Sequence, residues 1–94
     1  MARMDSPYIV RYYDSFISNN SRVNIVMEYC DQGDLHKFLK KWKDLTDETK
    51  NNYLTENSIW KFFIQISIGL YHMHNQNILH RDLKTLNIFL TKGN

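Results

Sequence analysis

His80-Arg81-Asp82-Leu83-Lys84-Thr85-Leu86-Asn87 gathers four ionisable side chains and one amide into eight residues. Their types suit the displacement of a phosphoryl group by a hydroxyl. The attacking hydroxyl has to be oriented and its proton accepted, and the Asp82 carboxylate can do both. A phosphoryl in transfer carries spread negative charge, which the compact ammonium of Lys84 can meet as a point charge. Asn87 offers a neutral oxygen of the kind that magnesium, a hard cation, accepts. A solvated surface turn would carry the same charges without this chemistry. The flanks speak against a bare turn: Ile78-Leu79 precedes the run and Ile88-Phe89-Leu90 follows it. They predict two short buried strands with a polar loop between them.

Further elements must hold that loop in place. Residues 8–16 are β-branched and aromatic after the Ser6-Pro7 break, and residues 22–29 resume the same chemistry after a polar turn at 18–21. Together they predict an antiparallel hairpin over 8–29. Asp34 can cap a helix over 34–43 that carries Leu35, Phe38, Leu39 and Trp42 on one face. Residues 44–53 are polar, mixed in charge and aperiodic, which reads as a surface loop. Thr55 can cap a long helix over 55–75, with Leu54 and Ile59 placed as a hydrophobic staple. Along it Ile59, Phe62, Phe63, Ile66, Leu70 and Met73 keep helical period as far as the polar stop Asn75-Gln76-Asn77. A small hairpin around 78–91 completes an α+β chain.

Composition narrows the function classes. At 94 residues, 43% hydrophobic and with 13 aromatic side chains, the chain can form a packed domain rather than a disordered tail. A formal charge of +2 leaves no electrostatic footprint for nucleic acid or a membrane surface. Lys37, Lys40, Lys41 and Lys43 fall largely off the apolar face of their helix and read as its solvated side. His72 and His74, two apart on a helix, point to different faces and lack the spacing metal ligands need. A single cysteine, Cys30, excludes an internal disulfide and fits a reducing compartment. With no signal-like start and no apolar run long enough to span a bilayer, the chain reads as soluble and intracellular.

The run at 80–87 matches the pattern H-R-D-L-x-x-x-N of the protein-kinase catalytic loop. With the order strand, turn, strand, Glu28-Tyr29-Cys30, helix, long helix and loop, the whole chain resembles the middle of a eukaryotic protein kinase domain. It most resembles the NIMA-related serine/threonine kinases, through residues 9–16, Val26-Met27-Glu28-Tyr29-Cys30, Gly33-Asp34-Leu35 and residues 78–91. Lys84 after Asp82-Leu83 is the serine/threonine pattern. The resemblance implies the end of a small lobe (1–27), a hinge (28–33) and the start of a large lobe through the catalytic loop (34–94). ATP and Mg2+ would be the cofactors and a protein Ser/Thr hydroxyl the acceptor, with no nucleic-acid or membrane partner. The expected location is intracellular and cytoplasmic, with cytoskeletal association in some family members.

By the same resemblance Asp82, Lys84 and Asn87 are catalytic, and Asn87 also ligates magnesium. Met27 is the gatekeeper, Glu28 and Cys30 bond the adenine edge through their backbone, and Phe89 lies under adenine. His80 and Tyr12 join a packed column between lobes, and Arg81 faces a phosphate on an activation segment. The chain lacks G-x-G-x-x-G, a V-A-I-K lysine, D-F-G and A-P-E, and residues 1–5 could supply only the last turn of the glutamate helix. Asn87 therefore lacks its aspartate partner in the metal site. The 44–53 segment is longer than such kinases place between these helices. The resemblance thus implies a kinase domain cut at both ends, active only as part of the whole. The alternatives are an inert kinase-like fragment that acts as a binding module, or a truncated gene model.

Overall fold

The strand chemistry of the first third builds β1 (Tyr12–Ile17) and β2 (Val23–Met27), paired antiparallel. The computed structural model describes residues 6–92, and the helix turn expected in residues 1–5 lies outside them. Ser21 takes the left-handed conformation at φ 58° between the strands, and Ser18 N–H donates to the Arg22 carbonyl at 2.9 Å. The register sets Ile17 opposite Val23 and Asp14 opposite Val26, then slips so that Tyr12 faces Met27 and Tyr13 is extra. Such a bulge bends a strand and increases its twist. The hairpin is shorter than the expected 8–29 because Ser6 draws the next amides into a turn. Tyr8 N–H donates to Ser6 Oγ and Ile9 N–H to the Ser6 carbonyl, both at 3.3 Å.

Helix α1 (Leu35–Lys43) begins where expected. Gly33 sits at φ 73°, a region that favours a residue without Cβ, and the Asp34 carboxylate accepts Lys37 N–H at 2.8 Å. The 44–53 loop was a wrong expectation: it contains α2 (Asp47–Tyr53). Asp47 and Glu48 stand in its first turn, where acidic side chains complement the helix dipole. Seven residues are too few to hold a helix alone, so packing must hold it. The Tyr53 ring stacks on Phe38 at 4.5 Å, and the Lys50 ammonium lies 4.9 Å from the centre of the Trp42 ring. Two anchoring residues are too few to register as apolar periodicity.

Helix α3 (Glu56–Asn75) is the longest element, capped by Thr55 Oγ1, which accepts Ser58 N–H at 3.1 Å. It stops through a paired C-terminal closure: Asn77 is left-handed at φ 60°, Asn77 N–H donates to the His74 carbonyl and Ile78 N–H to the Met73 carbonyl, both at 3.0 Å. Phe62 meets Phe38 edge-on at 5.8 Å, joining α3 to α1. Gly69 is buried because the Ser6–Ile9 turn lies on it; a Cβ there would come 3.0 Å from the Tyr8 carbonyl oxygen. The same turn is tied by a 2.7 Å hydrogen bond between Ser6 Oγ and His72 Nδ1. His72 therefore fastens the N-terminal segment to α3, and no group of metal-ligating residues forms among the described residues.

The small hairpin expected around 78–91, with both loop flanks as strands, is not formed. The Ile78 amide is already used in closing α3, Leu79 is 62% exposed, and a 3₁₀ turn over Thr85–Asn87 separates the flanks. Residues 88–90 pair instead with the segment that leads into α1. Leu35 N–H donates to the Ile88 carbonyl at 2.7 Å, Leu90 N–H to the Gly33 carbonyl at 2.8 Å and Gln32 N–H to the Leu90 carbonyl at 3.1 Å, around a bridge between Asp34 and Phe89.

These residues bury little of their own apolar surface. Leu35, at 8% exposure, is the one buried large apolar side chain among the described residues, while Phe16, Ile17, Val23, Trp60, Phe63 and Tyr71 all stand more than half exposed. The radius of gyration, 16.0 Å, exceeds the roughly 12 Å of a compact domain of this length. No helix among the described residues is long and apolar enough to cross a membrane. We expect the 94-residue chain alone to bind a hydrophobic dye and to melt without a cooperative transition. A sharp, dye-silent calorimetric transition would contradict that. Within a longer domain, Gly69→Val is expected to cost about 1 to 3 kcal/mol in thermal or urea unfolding, because the branched side chain must displace the Tyr8 backbone.

Candidate active site

The polar loop is held by a left-handed turn and by hydrogen bonds made by its own side chains. Arg81 takes the left-handed conformation at φ 67°, uncommon for a residue with a Cβ. It lets the chain double back so that Asp82 N–H donates to His80 Nδ1 at 3.1 Å. Asn87, in the 3₁₀ turn, reaches back across five residues: its Nδ2 donates to the Asp82 carbonyl at 2.8 Å and to Asp82 Oδ2 at 3.1 Å. Lys84 Nζ lies 3.6 Å from Asp82 Oδ1. Asp82, Lys84 and Asn87 are therefore brought together within the loop. Both members of the ion pair are open to solvent, at 68% for Asp82 and 52% for Lys84.

A cavity of about 550 Å³ adjoins the loop, lined in part by Asp82, Asn87, His80, Glu28, Cys30 and Phe89. It joins groups 50 residues apart in the chain because the segment before α1 is paired with residues 88–90. Glu28 is fixed at its mouth from both sides: its N–H donates to the Arg11 carbonyl at 2.8 Å, and its Oε1 accepts Arg11 N–H at 3.1 Å. Neither the Glu28 carbonyl nor the Cys30 amide has a hydrogen-bond partner among the described residues. That leaves one acceptor and one donor beside the apolar Phe89. Burial, then the carboxylates of Glu28 and Asp31, push the Cys30 thiol up from its ordinary range.

Other expected residues are placed elsewhere. Met27 ends β2, is 52% exposed and does not line the cavity. Arg81 is exposed at the turn. Tyr12 donates from its hydroxyl to Ser15 Oγ at 2.8 Å within β1, and no ring contact joins it to His80 among the described residues. Sequence reasoning passed over Val10, Gly69 and Leu90, which also line the cavity. Gly69 left a partial signal, since a lone glycine inside an apolar helical period costs helix stability and points to a packing reason without naming the partner.

Residues 1–94 match the protein kinase domain family. The chain belongs to the protein kinase family. Among curated kinases it is 45% identical over 93 residues to serine/threonine-protein kinase Nek5 of Mus musculus, covering 99% of this chain and 14% of that protein. It is 44% identical over 92 residues to Nek1 of Mus musculus, covering 98% and 7%, and 37% identical over 92 residues to nekl-2 of Caenorhabditis elegans, covering 98% and 26%. These relatives bear out the NIMA-related resemblance. The chain thus spans between 7% and 26% of the length of these three kinases, all of it within the kinase domain match. The α+β architecture is that of a kinase domain, and the polar loop is the H-R-D-L-x-x-x-N stretch of the family.

Because the thiolate is the reactive form, the raised Cys30 thiol sets a pH dependence. Alkylation by iodoacetamide, followed by mass spectrometry, should show a midpoint above that of free cysteine. Glu28→Gln should move the midpoint back down by removing one of the carboxylates that disfavour the thiolate. A midpoint equal to that of free cysteine would show Cys30 in a different setting.

Proposed function

We propose that the protein carrying this chain moves the terminal phosphoryl group of ATP to a serine or threonine hydroxyl of a protein substrate. What chiefly supports the reading is the convergence of the Asp82 carboxylate, the Lys84 ammonium and the Asn87 amide within one turn, beside a cavity lined by Glu28, Cys30 and Phe89. Asp82 orients the acceptor hydroxyl and takes its proton as the oxygen bonds to phosphorus. The bond between that phosphorus and the bridging oxygen of ADP breaks, and Lys84 steadies the charge on the group in transit. The free Glu28 carbonyl and Cys30 amide suit the paired donor and acceptor of an adenine edge, and Phe89 supplies a flat apolar wall beside it.

Magnesium fits the donor set. The two bonds from Asn87 use Nδ2, so Oδ1 is left for a hard cation, and the Asp82 carboxylate lies beside it. When bound, the ion offsets the charge of the triphosphate. Asn87 is also a positioning residue, since its amide holds the Asp82 carboxylate in line. The single thiol and the relatives' kinase names support a role inside the cell, where ATP is at hand.

In a complete kinase domain carrying this sequence, Asp82→Asn should lower kcat by about a hundredfold or more, the span of a lost general base. Nucleotide affinity should stay near the parent value, because Asp82 serves the acceptor. Asn87→Ala should raise the magnesium concentration needed for half-maximal rate. Transfer of labelled phosphate to a protein substrate, with nucleotide binding measured separately, checks both. Near-parental turnover in Asp82→Asn would remove the role given to this loop.

A further inference from the structure

Ser6 and His72 lie 66 residues apart in the chain and meet in one 2.7 Å hydrogen bond between Ser6 Oγ and His72 Nδ1. Ser6 is buried, at 8% exposure, and His72 is half-buried. The serine oxygen also accepts Tyr8 N–H at 3.3 Å, so its single proton is left for the imidazole. The arrangement that satisfies both groups has the hydroxyl donating to an unprotonated Nδ1. Neither residue lines the cavity of about 550 Å³, but what their bond holds does. Pro7, Tyr8, Ile9 and Val10 follow Ser6 directly and form part of the cavity wall, together with Gly69 and Met73 of α3. The next residue, Arg11, grips Glu28 twice: its carbonyl accepts Glu28 N–H at 2.8 Å, and its N–H donates to Glu28 Oε1 at 3.1 Å. One short run thus links the bond on α3 to the residue whose free carbonyl stands at the cavity mouth.

We propose that, given the ATP reading of this cavity, Ser6 and His72 are a positioning pair for the nucleotide, setting the wall over residues 7–10 and, through Arg11, the Glu28 carbonyl before ATP arrives. Gly69 admits the turn, since a Cβ there would come 3.0 Å from the Tyr8 carbonyl oxygen, but close approach alone does not fix where along the helix the turn sits. A directional hydrogen bond does. With the bond closed, the wall is in place and binding has nothing there to order. With it broken, the turn samples other positions, and apparent affinity falls with the fraction that stays competent. Asp82, Lys84 and Asn87 are not part of this linkage, so the loss falls on nucleotide binding and not on the transfer step. A packing role alone would lower the thermal midpoint and leave the affinity of the folded protein as it was.

The test uses a full-length kinase carrying this sequence, with Mg-ATP binding measured by titration calorimetry well below the thermal midpoint and phosphoryl transfer measured alongside. Ser6→Ala and His72→Phe should each weaken ATP binding and raise its KM by about three- to tenfold, the span of one lost hydrogen bond, while kcat stays near the parent value. The double variant should bind no more weakly than Ser6→Ala alone, because the two changes remove the same bond. His72→Asn should recover most of the affinity, since its amide oxygen can accept in the place of Nδ1. Hydrogen exchange read by mass spectrometry should speed up over residues 6–11 in His72→Phe, a readout that needs no nucleotide. Ser6→Ala removes a single oxygen and keeps the test decisive if His72→Phe fails to fold. The proposal is overturned by parental affinity in Ser6→Ala, by a lowered thermal midpoint with unchanged KM, by additive losses in the double variant, or by His72→Asn binding as weakly as His72→Phe. A parent that bound no Mg-ATP would remove the ATP reading of the cavity and the proposal with it, whereas a binding parent with indifferent variants removes the proposal alone.

Discussion

Three backbone hydrogen bonds between residues 32–35, at the entry to α1, and residues 88–90 hold this structure's functional parts in one place. Leu35 to Ile88, Leu90 to Gly33 and Gln32 to Leu90 form a short antiparallel crossing, with Leu35 buried at its centre. Each is worth about 1 kcal/mol net, but their geometric consequence is larger. They set Glu28 and Cys30 beside Phe89, and they leave the polar loop at the edge of the same cavity. Gly33 makes the crossing possible, since its φ of 73° turns the chain within reach of Leu90.

Within the loop, the hydrogen bonds made by the His80 and Asn87 side chains matter more than the ion pair. An exposed pair such as Lys84 with Asp82 contributes roughly 0 to 1 kcal/mol, too little to hold Arg81 in a left-handed turn that costs about 1 to 2 kcal/mol. The hydrogen bonds from Asn87 to Asp82 and from Asp82 N–H to His80 add about 1 kcal/mol each and offset it. Asn87 therefore has two tasks on one side chain, holding the general base through Nδ2 and leaving Oδ1 for a cation. His80 has a local one, as acceptor for the Asp82 amide.

The apolar face of α3 is only partly covered by the described residues. On α3, Phe62, Ile66 and Leu70 are partly covered, while Ile59, Phe63 and Tyr71 are exposed. A large side chain gains about 1.5 to 3 kcal/mol when fully buried, so several such residues left in water outweigh the few hydrogen bonds that close the loop. The relatives, of which this chain spans between 7% and 26%, have ample further sequence to cover such faces.

Much of this was legible in the residues themselves. Asp34 and Thr55 mark the starts of α1 and α3 because their side chains cap local amides, and Asn77 marks the stop because a left-handed closure needs a tolerant residue. The grouping of Asp82, Lys84 and Asn87 was legible too, since eight residues in a tight turn have few ways to fold. Distant pairing was not. Helix α2 rests on Tyr53 meeting Phe38, residues 88–90 took residues 32–35 as partner in place of 78–79, and Gly69 is explained only by the Tyr8 backbone above it. Caps, turns and helical period are written in neighbouring residues and act over one or two turns, so the sequence alone determines them. A strand's partner, the packing of a seven-residue helix and the closure of a cavity depend on which surfaces meet after the chain has folded back, and only the tertiary structure decides that.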